Sequence, residues 1–333
     1  MTPVKNRFAR FLIYATLASF ALITSVPFLW TFLQSLKTVR QAFSRTPLII
    51  FKPTLEAYAK LWLESVPENM PLLTVGFVVA ILAIMLLAGV MRRAGTSGLE
   101  VAALVVVGFG LLFWAIPRVV DTADFYDFFI NTVIVTVATV GISISVSCLA
   151  GYGLARYSGL DGVVILIAAL AFRALPRMAF ALPYFQLSQI LGVHDTYLVL
   201  ILVLVAANQP FAVWMLRSFF EDIPHEIEES AMVDGAGRLK AFVSVIIPIM
   251  WPGIISTALF TLLLAYHEFL LVRVLMQDKW TLSVAITQFA GSEYAYSTIP
   301  FAAAVSATVP LLIVILFFQK QLVKGLTAGA VKG

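Results

Sequence analysis

Residues 129–152 read Phe129-Ile-Asn-Thr-Val-Ile-Val-Thr-Val-Ala-Thr-Val-Gly-Ile-Ser-Ile-Ser-Val-Ser-Cys-Leu-Ala-Gly-Tyr152. A bilayer-crossing helix needs about 20 mostly apolar residues, and this stretch supplies them. Lipid offers no partner for backbone N–H and C=O groups, so such a segment must be helical. Seven further stretches qualify on the same ground, near 11–34, 72–91, 99–117, 162–184, 196–217, 244–272 and 299–320. The short alternating segments that build a membrane β-barrel are absent from the sequence. The expected fold class is all-α, a polytopic membrane bundle of about eight transmembrane helices.

Composition agrees with that reading. The 333 residues are 61% hydrophobic and 12% charged, with a mean hydropathy of +0.98. A soluble domain carries about 25% charged residues. The charge deficit excludes a water-soluble globular protein and excludes disorder. The net charge of +4 is modest, and the clustered Lys/Arg stripes of a nucleic-acid binder are missing. Cys148 is the one cysteine, so no intramolecular disulfide forms. His194, His225 and His267 are scattered, and no metal-ligand cluster is visible. The basic start (Lys5, Arg7, Arg10) leads into an apolar stretch too long for a signal core, which reads as a retained first span.

An even number of spans puts both termini on one side. That side would hold Lys5, Arg7, Arg10, Arg92, Arg93, Arg156, Arg217, Arg238, Lys240, Lys320, Lys324 and Lys332. The other side would hold fewer basic residues, among them Lys37, Arg118 and Lys279. The bias favours cytoplasmic termini. Trp30, Trp62, Trp114 and Trp280 fall near predicted outer boundaries, as interfacial aromatics should. The turn Met91–Gly98 joins two closely spaced spans into a hairpin at 72–117. The chain divides into 1–71, a span with its first outer loop; 72–117, the hairpin; 118–322, a core; and 323–333, a tail.

The one long cytoplasmic loop, Ser218–Val243, concentrates Glu221, Asp222, Glu226, Glu228, Glu229 and Asp234. Asp222 suits an N-cap and Pro224 the first turn of a helix. Acidic residues there complement the helix dipole, and Gly235 and Gly237 supply the stop. A short helix is expected over 223–234, with Ile223, Ile227, Ala231 and Ser230 on one face. An interfacial helix resting on lipid usually carries Lys/Arg on its polar face. This one is acidic, which favours a protein socket over a lipid surface.

The string Glu229-Ser-Ala231, three residues, Gly235, nine residues, then Val245-Ile-Ile-Pro248 resembles the Glu-Ala-Ala loop of ABC importer permeases. Ser230, Val245 and Ile247 depart conservatively from that pattern. The wider run from Ile223 to Ala236 is similar to the carbohydrate branch, in particular the second permease of maltose-type importers. Pro27-Phe-Leu-Trp30, Ser35-Leu-Lys37, Asn131-Thr-Val-Ile134, Leu154-Ala-Arg-Tyr157, Leu198–Phe220, Glu268-Phe-Leu270 and the tail from Val323 extend the likeness. The hairpin at 72–117 does not match, and members of this branch usually have six spans.

The resemblance implies a transport subunit of the inner membrane that is not itself an enzyme. It implies a second permease subunit, a pair of ATPase subunits that hold ATP and Mg, an external solute-binding protein, and a carbohydrate or polyol substrate. The helix at 223–234 would be the coupling helix. Its docking set would be Asp222, Pro224, Glu228, Glu229, Ala231, Asp234, Gly235 and Pro248. Pro248, Pro252 and Gly253 would kink the seventh span. The tail Gly325–Gly333, small, flexible and basic, would reach the ATPase pair. The sequence has no Gly-x-x-x-x-Gly-Lys-Ser/Thr loop, so ATP hydrolysis is expected on another polypeptide.

Arg173 and Arg177 lie in the fifth predicted span, four apart and therefore on one helix face. Charges inside a bilayer cost several kcal/mol unless they face a partner or water. The pair either lines a translocation path, makes a structural ion pair with a partner subunit, or snorkels to the membrane interface. Asn208 and Gln209 beside Pro210 either line that path or join helices. Thr136, Thr139, Ser143, Ser145 and Ser147 suit close helix packing. His267 and Glu268 fall at the expected outer interface. A secondary transporter working alone, or a membrane scaffold, are the competing classes. The former usually shows midplane ionisable residues and repeated halves.

Overall fold

The computed structural model describes residues 7–157, 159–291 and 297–330, and these are almost wholly helical. In chain order the helices are α1 (Arg7–Ser35), α2 (Val39–Ala42), α3 (Glu56–Trp62), α4 (Met70–Arg93), α5 (Gly98–Val119), α6 (Asp124–Arg156), α7 (Leu160–Arg173) and α8 (Arg177–Ile190). There follow α9 (Tyr197–Glu221), α10 (His225–Val233), α11 (Arg238–Ala241), α12 (Ile247–Tyr266), α13 (Leu270–Leu275), α14 (Leu282–Ala285) and α15 (Ile299–Ala330). A π-helical turn, Phe242–Ile246, joins α11 to α12. Among the described residues six helices are long and apolar enough to cross a membrane, and α7 with α8 forms a bent seventh candidate. The count of eight expected from the sequence is not reached by that measure. The protein is a multi-pass membrane protein.

Two of the predicted spans are corrected. The fifth is not one helix: α7 and α8 meet at a 92° bend. Pro176 lacks an N–H and drives the residue before it out of the helical region. It takes extended backbone at φ −55°, ψ 130° and becomes the N-cap of α8. The seventh predicted span, 244–272, instead runs from Arg238 through the π turn and stops at Tyr266. Ile247 N–H bonds Phe242 O across that turn, immediately before Pro248, whose missing donor weakens the ordinary ladder. The tail expected to be flexible continues α15 as helix to Ala330; residues 331–333 lie outside the described residues.

The chain divides into two compact units. One takes the chain up to Tyr126 with Phe289–Val305; the other takes Asp127–Gln288 and the chain from Ser306 onward. In the first unit, α1 exposes its apolar residues on all sides, as a helix facing lipid or a membrane partner does. Beyond it Lys37 is buried, its Nζ 5.0 Å from the Trp30 ring and 5.1 Å from that of Phe51. Helices α4 and α5 form the expected hairpin, with Ser97 Oγ accepting the Glu100 N–H at 3.3 Å. With Trp62 and Tyr126 they line an apolar cavity of about 550 Å³.

The second unit holds two apolar cores. One gathers Val135, Val203, Leu204, Leu271, Leu275 and Val284 from α6, α9, α13 and α14. The other gathers Cys148, Leu216, Phe220, Phe242, Ile246 and Met250 beneath α10. Gly151 allows α6 and α9 to meet: a Cβ there would lie 3.0 Å from Arg217 N and 3.2 Å from Leu216 Cβ. Small residues at such crossings let backbones approach. The loop before α9 is pinned by Asp195, whose carboxylate accepts the Gln277 N–H at 3.0 Å.

Candidate functional site

Helix α10 is short, acidic and built to end sharply. Pro224 is its N-cap and makes no side-chain capping bond; Glu226 and Glu228 occupy the first turn, where negative charge meets the positive end of the helix dipole. At the other end Gly235 has φ +88°. Its N–H bonds Met232 O at 3.0 Å, and Ala236 N–H bonds Ala231 O at 3.0 Å. This pair of bonds is a Schellman stop, which favours glycine because only glycine adopts positive φ without a Cβ penalty. The expected stop at Gly235 is therefore present. The expected N-cap is not: Asp222 is the C-cap of α9, which runs one turn further than the apolar stretch suggested.

The helix has two faces. Ile223 is buried in the core beneath it and Ile227 packs against the same core; Ala231 is half-buried. Ser230, expected on that face, is exposed. Glu228 is 8% exposed and belongs to the inner side. Its carboxylate accepts the Tyr152 hydroxyl and, at 3.0 Å, the Arg156 Nε–H. Of the docking residues expected from the sequence, Glu228 is thus turned into the protein, because two donors from α6 meet it there. Outward point His225, Glu226, Glu229, Ser230 and Asp234. Val233, 87% exposed, and Leu239 add apolar surface to this acidic face. Val233 was not among the residues expected from the sequence; its place four residues after Glu229, on the same helix face, was the available signal.

Pro248 lies at the start of α12 just past the π turn, where it removes a backbone donor. Helices α10 and α11 and the π turn follow one another in the chain and lead into α12.

Arg173 and Arg177 do not share a helix face, since the bend at Pro176 puts them on different helices. The Arg177 guanidinium pairs with Glu268. Glu268 is 4% exposed. Its Oε1 also accepts the Leu271 N–H at 3.1 Å and so caps α13. The Arg173 guanidinium lies over the Phe211 ring, 4.7 Å from the centroid. Gln209 is held across to α6: its Nε2 donates to Ser147 Oγ at 2.7 Å and its Oε1 accepts from Ser143 Oγ at 3.1 Å. Asn208 is fully buried, with neither amide atom hydrogen-bonded. Thr136, Thr139, Ser143 and Ser147 form a buried polar stripe on α6, while Ser145 is exposed. Among the described residues no group of three or more His, Cys, Asp or Glu side chains could hold a metal ion.

No protein-family model matches the chain. Individual relatives do. It is 34% identical over 218 residues to the trehalose/maltose transport system permease protein of Thermococcus litoralis, an alignment covering 64% of this chain and 77% of that protein. It is 33% identical over 208 residues to the trehalose transport system permease protein of Mycobacterium tuberculosis, covering 61% of this chain and 76% of the other. It is 29% identical over 219 residues to the maltodextrin transport system permease protein of Bacillus subtilis, covering 65% and 79%. The fold matches a chain from the crystal structure of a bacterial ABC transporter involved in the import of the acidic polysaccharide alginate, with TM-score 0.64, 21% identity, and 96% and 99% of the two chains covered. By its sequence likeness to these proteins, and by the fold it shares with the last, the chain belongs to the permease proteins of ABC transport systems.

Proposed function

We propose that this chain is a permease subunit of an ABC importer that carries a carbohydrate or polyol across the inner membrane, with both termini in the cytoplasm. Its outward face on α10 seats in a cleft of a separate ATPase subunit, which supplies ATP and Mg. A second permease subunit and an external solute-binding protein complete the assembly. The relatives' carbohydrate systems support the substrate class.

The observation that carries the reading is the two-sidedness of α10. A helix resting on lipid would present basic residues and bury its apolar ones. Here Glu226, Glu229 and Asp234 are exposed together with Val233, while the apolar side is already covered by the chain's own core. A mixed acidic and apolar face of this kind fits a protein cleft with basic donors. Within it Glu229 is the charge for that cleft, Gly235 and the Schellman stop set the exit angle, and Pro224 and Asp222 set the entry. Ala231 seats the helix on its own core, and Pro248 lets the following span bend. Of the residues expected at the translocation path, Arg173, near the bend, is the candidate; Asn208 is fully buried and Gln209 joins α9 to α6.

The test is Glu229→Lys in a strain that depends on the importer. Uptake should be lost while the chain still inserts at normal level and the ATPase no longer co-purifies. Normal uptake with normal co-purification would remove α10 as the docking element.

A further inference from the structure

We propose that Arg156 is a positioning residue that ties the docking helix α10 to the span α6, so that movement of one is passed to the other. The inference rests on the docking role of α10 argued above. Arg156 is the last residue of α6. Its Nε–H donates to Glu228 Oε2 at 3.0 Å and its Nη1–H donates to Phe220 O at 3.3 Å, at the end of α9. Tyr152, one turn earlier on α6, donates its hydroxyl to the other oxygen of the same carboxylate. One guanidinium therefore joins the ends of three helices.

The side chains of Arg156 and Glu228 are 13% and 11% exposed, which sets the pair apart from ordinary surface ion pairs. An exposed pair such as Lys60–Glu56 contributes little and can part freely. A largely buried pair resists separation, because parting leaves each charge in a poorly solvated place. Apolar contacts of Ile227 in α10 and of Ile223 just before it add to that attachment. Apolar contacts are non-directional and allow sliding. The Glu228 carboxylate, held by donors from two turns of α6, fixes direction and register. A push on the outer face of α10 thus reaches α6 through Glu228 and α9 through Phe220.

The experiment uses the full assembly with its ATPase in nanodiscs, followed by hydrogen–deuterium exchange with and without ATP and vanadate. Arg156→Met should retain the ATPase, because the outer face of α10 is untouched. Its α10 amides should exchange about tenfold faster than wild type, as a locally loosened element does. The nucleotide-dependent change in α6 should disappear. Arg156→Lys, which keeps the charge toward Glu228, should restore much of that change. Should Arg156→Met not insert, Glu228→Gln carries the same test. A nucleotide response in α6 of wild-type size in either variant would overturn the proposal. Absence of the ATPase from the wild-type assembly would instead overturn the docking reading, and the transmission with it.

Discussion

Arg177, the first residue of α8, is ion-paired with Glu268, and the same carboxylate caps α13 through the Leu271 N–H at 3.1 Å. One acidic side chain thus neutralises a guanidinium at the bend of a broken span and starts another helix. Its removal leaves Arg177 half-buried without its counter-charge. Deleting one partner of a fully buried pair costs about 3–5 kcal/mol, and the partial exposure of the Arg177 side chain, 32%, makes the cost here smaller. Glu268→Ala should therefore lower the apparent melting temperature of the purified chain. Arg177→Met with Glu268→Leu should cost much less, since the buried carboxylate and its half-buried partner go together. Equal loss in the single and double variants would show that the pair does not matter.

Gly235 can be tested by side-chain size at fixed backbone. Its φ of +88° is strained for any residue with a Cβ, at a cost of about 1–2 kcal/mol. No atom lies within 4 Å of a Cβ there, so the penalty is conformational and not steric. Gly235→Asn should be milder than Gly235→Val, because asparagine tolerates the left-handed region. Hydrogen exchange of α10 reads the difference: fraying should follow the order Val, Asn, Gly. Identical exchange in all three would contradict the assignment of a Schellman stop.

Gly151 makes the opposite kind of prediction. A Cβ at this position would press on Arg217 N and Leu216 Cβ. Overpacking of this sort costs about 1–3 kcal/mol. Gly151→Val should force α6 and α9 apart and lower the melting temperature, whereas Gly153→Val, where a Cβ meets nothing within 4 Å, should be nearly neutral. Similar losses at both positions would show that the close approach at Gly151 does not govern the effect, since valine has the better helix propensity.

Lys37 gives a pH dependence. Burial pushes its ammonium below the ordinary value of 10.5. In the window between the lowered value and 10.5 the unfolded chain holds a proton that the folded chain does not. Stability therefore rises with pH through that window and the full gain is present above it. Apparent melting temperatures in a series of alkaline buffers should show this rise for wild type relative to Lys37→Met. Parallel curves would remove Lys37 as its source.

What the sequence made legible follows from the physics of each element. The spans are legible because lipid demands long apolar helices, and the run at 129–152 has no other reading. Helix α10 and its stop at Gly235 are legible because caps and stops are written locally. Asp222 misled because α9 carries its helix past the apolar stretch, so a residue suited to an N-cap became a C-cap. Arg173 and Arg177 misled because the four-residue spacing argument assumes a continuous helix, and Pro176 breaks it. The inward turn of Glu268 and of Glu228 was not legible, for a shared reason. A carboxylate turns inward only when distant donors answer it, here Arg177 for one and Tyr152 with Arg156 for the other. No local pattern in the chain announces those partners.

Cysteine cross-linking at Glu229 reads the seating of α10 on the ATPase itself. Cys148, the chain's only cysteine, is first replaced by alanine, and Glu229→Cys is introduced into membranes that contain the whole importer. The account predicts a cross-link to the nucleotide-hydrolysing subunit and no labelling by an impermeant maleimide applied to intact cells. Labelling from outside the cell, or a cross-link to no ATPase, would contradict it.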